Sequence, residues 1–69
     1  LEMMSIVIHT YTYSYLKRCF GSWNCLENVV TKEAKWCIRT LIKECGPTTF
    51  RGAFAINCAG YLLSCEVID

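Results

Sequence analysis

Residues 48–69, TTFRGAFAINCAGYLLSCEVID, decide the fold of this 69-residue chain. Read as a helix, the segment is apolar almost all round and carries Gly52 and Gly60. A helix of that kind needs burial on every side, which a domain this small does not provide. Read as two strands, it sorts better. Phe50, Phe54, Ile56 and Cys58 face one way, and Arg51, Ala53, Ala55 and Asn57 the other. Tyr61, Leu63, Cys65 and Val67 form a second apolar face, opposed by Leu62, Ser64 and Glu66. Ala59-Gly60 then supplies a two-residue turn, and the pattern predicts a hairpin.

Upstream, Thr31 is placed to cap a helix running to Cys45, closed by Gly46 and Pro47. Ala34, Cys37, Ile38, Leu41, Ile42 and Cys45 recur at spacings of three and four, which gives that helix one apolar face. Residues 17–27 read as a loop, with Gly21, Ser22 and Asn24 as breakers and Cys19 and Cys25 near its ends. Residues 5–16, SIVIHTYTYSYL, are β-branched and aromatic and alternate at period two, which predicts a strand. On it His9, Tyr11, Tyr13 and Tyr15 share a face.

The expected fold class is therefore α+β: a single disulfide-stapled domain over residues 1–69, ordered strand-helix-strand-strand, with one helix on a three-stranded antiparallel sheet. The alternative is an all-α, disulfide-linked helical bundle. Defensin-like scaffolds share the first order, but their helical CxxxC and last-strand CxC are not present. Cys37 and Cys45 are eight apart and Cys58 and Cys65 seven apart, so no family is assigned.

Hydrophobic residues make up 54% of the chain and charged residues 19%, which excludes disorder. A net charge of +1 gives no strong overall field to draw nucleic acid or an anionic bilayer. Cys19, Cys25, Cys37, Cys45, Cys58 and Cys65 are an even set in a short chain, which predicts three disulfides and an oxidising compartment. At least one of Cys37 and Cys45 is expected to bond Cys58 or Cys65. No CxxC occurs and His9 is the sole histidine, so no metal site is expected, nor any cofactor. Met3–Ile8 is too short for a signal-peptide core and follows Glu2, so the chain reads as a mature, secreted, extracellular product.

The carboxylates are scattered, and no nucleophile motif or phosphate loop appears, so no enzymatic activity is expected. The informative feature is a basic stripe. At about 100° per residue, Lys32, Lys35, Arg39 and Lys43 fall in one helical sector opposite the apolar face. Trp36 projects beside them, either as an anchor for a partner or covered by the 17–27 loop and its Trp23. Trp36, Lys32, Lys35, Arg39 and Lys43 are the candidate partner-binding residues. The expected partner is an extracellular protein receptor, or a membrane surface of acidic character, and not nucleic acid. The function read from these features is a secreted, disulfide-stabilised binding protein: a toxin, effector or antimicrobial. The alternatives are a hormone- or pheromone-like signal, or a lipid- or membrane-binding protein.

Overall fold

The computed structural model describes the backbone of residues 2–24 and 30–66, and side chains over 5–24 and 30–64. Three helices follow in order: α1 (Glu2–Phe20), α2 (Lys32–Cys45) and α3 (Phe50–Glu66). No strand occurs among the described residues. The expected α+β fold is thus incorrect, and the helical bundle weighed against it is the architecture.

The α2 expectation matches the structure at both ends. Thr31 is extended (φ −69°, ψ 158°), and its hydroxyl accepts from the backbone N–H of Ala34 at 3.0 Å. Gly46 closes the helix at φ 81°, the left-handed region where glycine carries no Cβ penalty, and donates its N–H to the Ile42 carbonyl at 2.9 Å. Ala34, Cys37, Ile38 and Leu41 are buried.

Residues 5–16 form helix, not strand, because packing overrides the local β preference. Thr12 and Leu16, four apart, are fully buried along one stripe. The Thr12 hydroxyl donates to the carbonyls of Ile8 at 2.8 Å and His9 at 3.2 Å, so a buried polar group is satisfied within its own helix. The tyrosines that alternate in sequence fan out in space. Tyr11 and Tyr15 stand side by side at 6.1 Å, while Tyr13 turns to meet Phe54 edge-on at 5.3 Å. The expected loop over 17–27 is shortened too, since α1 continues to Phe20.

The tail is one helix, and the objection to it fails for a specific reason. Among the described residues of α3, full burial is confined to Gly52, Ala55, Cys58 and Leu62, a stripe of mostly small residues that brings it close to its neighbours. Phe54, Ala59 and Tyr61 are half-buried against the core, and the remaining large apolar side chains described are left outside: Phe50 is 77% and Leu63 62% exposed, and Ile56 is exposed as well. Thr49 starts the helix, accepting the Gly52 N–H on its hydroxyl at 3.0 Å and donating that hydroxyl to the Gly46 carbonyl at 3.0 Å.

Leu16, Cys37, Ile38, Leu41, Ala55, Cys58 and Leu62 form the core, contributed by all three helices. Between α1 and α3 runs an aromatic ladder. Phe20 meets Phe54 and Tyr61, each at 5.6 Å, and Trp23 at 5.8 Å, all edge-on. The Tyr61 hydroxyl donates to the Trp23 carbonyl at 2.7 Å, which ties the chain after α1 to α3. These contacts set α1 and α3 parallel, with α2 antiparallel to both. At the other end His9 faces Glu44, and Tyr13 lies near Phe50, the first residue of α3. The turns of α1 before His9 therefore run past the α2–α3 turn. Residues 2–8 at 1.5 Å per residue carry the helix about 10 Å beyond it, with Ile6 and Val7 both more than 60% exposed.

Candidate functional site

The outward side of α2 carries the basic stripe. Lys32, Lys35, Trp36, Arg39 and Lys43 are all exposed, opposite buried Ala34, Cys37, Ile38 and Leu41. Trp36 retains 50% of its surface in solvent. Trp23, the candidate to cover it, packs instead on Phe20, toward α3; residues 25–27 of that loop lie outside the described residues.

The acidic side chains of α2 are drawn to its α1 flank. Glu33 accepts the hydroxyl hydrogen of Tyr11, and Glu44 lies 3.8 Å from His9 Nε2. The bond to Glu33 holds the Tyr11 phenol in its protonated form, with burial adding to the effect, and pushes its pKa up to about 12. Among the described residues, no lysine or arginine lies within 4 Å of a carboxylate. Among the described residues the charge is therefore segregated, with Glu33 and Glu44 on the α1–α2 seam and the cations of α2 unopposed on its outer face.

The third flank of α2 meets α3 across an open groove of about 360 Å³. Ile38, Ile42 and Leu62 line its depth; Lys35 and Arg39 stand on its α2 side and Leu63 on its α3 side. Among the described residues no acidic side chain lines it. Sequence reasoning missed this groove because it needs α3 as a helix. The signal for it lay in Ala59, Leu62 and Leu63, which share a helical flank but split between faces when read as strands.

The expected disulfide framework is not present among the described residues. Cys19, Cys37, Cys45 and Cys58 are unbonded; Cys25 and the Cys65 side chain lie outside what is described. Cys37 and Cys58 do converge on the core, as expected of helical and tail cysteines, but as small apolar fillers in full burial. Burial pushes both thiols up to about 11, with the Glu33 carboxylate adding to the effect at Cys37. Such thiols are poor nucleophiles.

A second cleft, bounded by His9, Glu44, Cys45, Thr49, Phe50 and Arg51, holds the only histidine. Ser5 Oγ lies 3.2 Å from His9 Nε2, the same nitrogen that faces Glu44. A nucleophile–base–acid relay places hydroxyl and carboxylate on opposite ring nitrogens, so these side chains do not form one. No cluster of three or more metal-ligating side chains occurs among the described residues, and no helix there is long and apolar enough to cross a membrane. Comparison with family models, curated proteins and solved structures gave no match, so the reading of function rests on the α2 surface and its flanking groove.

Proposed function

We propose that the protein is a lipid-binding module that docks on an anionic lipid surface through the outer face of α2. The observation that carries this reading is the charge segregation. Lys32, Lys35, Arg39 and Lys43 form one sector beside a half-exposed Trp36, and none of them is paired with a carboxylate among the described residues. Each cation near an anionic leaflet contributes about 1 kcal/mol, and tryptophan suits the boundary between headgroups and acyl chains. Apolar side chains left outside on α3, with Leu63 and Ile56 on the flank next to that face, fit a lipid partner better than an aqueous one. The toxin or effector reading leans on disulfide staples, whereas the described thiols are unbonded.

Vesicle co-sedimentation tests it. Binding should appear with phosphatidylglycerol-containing vesicles, be weak with phosphatidylcholine alone, and fall as salt rises. Trp36→Ala should lower the affinity at least tenfold while leaving the melting temperature nearly unchanged, because an exposed side chain contributes little to packing. Equal binding to both vesicle types, or wild-type affinity in Trp36→Ala, refutes the docking face.

A further inference from the structure

We infer that the α2–α3 groove binds one single-chain amphiphile with an anionic head, a long-chain carboxylate, its alkyl chain against Ile38, Ile42 and Leu62 and its head between Lys35 and Arg39. At about 360 Å³ the groove lies near the lower end of the volumes used by small-molecule sites, roughly 300–1,000 Å³. It has room for one chain. Its lining surface is mainly apolar, so the greater part of an occupant is a hydrocarbon. The two sides differ: cations stand on α2, whereas Leu63 on α3 offers carbon to solvent. Among the described side chains no carboxylate lines the groove, and neither Lys35 nor Arg39 has an acidic partner. That charge arrangement selects a negative head over a neutral or positive one.

Covering the groove also buries Leu63, which the fold alone leaves exposed. The site deepens the lipid reading by naming a ligand that enters as a monomer, and the two fail separately. The docking face depends on Trp36, which does not line the groove.

Calorimetric titration of the full chain with dodecanoate, below its micellar concentration, tests the site. The expected result is saturable binding of one equivalent, at least tenfold weaker for dodecanol and for dodecyltrimethylammonium. Leu63→Asp sets a carboxylate on the rim at a position too exposed to disturb the core, and should weaken dodecanoate binding at least tenfold. Ala59→Phe fills the groove from α3 and should abolish binding, with circular dichroism confirming that the variant is folded. Trp36→Ala should bind dodecanoate as the wild type does. Equal affinity for the three head groups, or undiminished binding by Leu63→Asp, overturns the assignment whatever the vesicle experiments give.

Discussion

Two glycines of α3 should respond oppositely to the same substitution. Gly60 lies in the second half of the helix with open space where a Cβ would stand. Alanine there gains helix propensity of about 0.5–1 kcal/mol with nothing to obstruct it. At Gly52 a Cβ would overlap the Gly46 carbonyl oxygen and fall 2.7 Å from its carbon. The obstacle is backbone, held by the Thr49 hydroxyl and by the Gly46 N–H bond to Ile42, so no flexible side-chain end is available to move aside. Overpacking of this sort costs about 1–3 kcal/mol and sometimes more. An overlap this deep requires the α2–α3 turn to be rebuilt, so the upper end applies, and the propensity gain offsets only part of it. A net loss of about 2 kcal/mol or more is expected for Gly52→Ala. In a domain of this size about 1 kcal/mol moves the midpoint by roughly 4–8 °C. Thermal melts followed by far-UV circular dichroism should show Gly60→Ala rising by a few degrees and Gly52→Ala falling by roughly 8 °C or more. An unchanged or raised midpoint in Gly52→Ala would mean that the start of α3 does not abut the end of α2, and the bundle as described would be wrong.

Other consequences are open to direct measurement. In the reduced protein, Cys37 and Cys58 should alkylate far more slowly than Cys19 and Cys45. Thiols raised from 9.0 to about 11 hold about a hundredfold less thiolate near neutral pH, and both are fully buried; labelling of Cys37 at the rate of Cys19 would contradict its place in the core. Stability should fall as pH rises from about 9 toward about 11, because the folded state there holds protons on Cys37 and Cys58 that the unfolded chain has released. Tyr11, raised from 10.0 to about 12, acts in the same direction at slightly higher pH, and Tyr11→Phe should flatten that part of the denaturation profile. Leu41→Ala should cost about 2–5 kcal/mol, a large share of what a chain of this size commands, and urea denaturation should show it largely unfolded without denaturant or nearly so.

How much of this was legible in the sequence depends on which helix is asked about. In α2, Thr31, Gly46 and the spacing from Ala34 to Leu41 are local signals, and local signals fix its ends and faces. The basic stripe and Trp36 were legible for the same reason. In α1 the local signal points the wrong way. The β-branched run from Ile6 to Ile8 and the alternating tyrosines favour a strand, and only the pairing of Thr12 and Leu16 against the other two helices makes a helix the better solution. In α3 the fault lay in assuming that apolar residues must be buried. Phe50, Ile56 and Leu63 remain outside, and the packing is done by the small residues Gly52, Ala55 and Cys58 together with Leu62, Phe54 and Tyr61. The groove followed α3 into obscurity, since a cleft between two helices has no signature in either one alone.

The overhang of α1 divides one continuous helix into two thermodynamic regimes. Beyond Thr12 its backbone is clamped by Leu16, Phe20 and the aromatic ladder, and opening there requires dismantling the bundle. Around Ile6 and Val7, both more than 60% exposed, the helix has little cover besides itself, and an isolated helical segment of that length is unstable in water. Amide exchange should thus be graded along α1, rapid by Ile8 and approaching the global unfolding limit by Leu16. A protein that stores its cooperativity at one end of a helix can lend out the other: the free turns can unwind, or rewind against a new surface, without disturbing the fold that carries them.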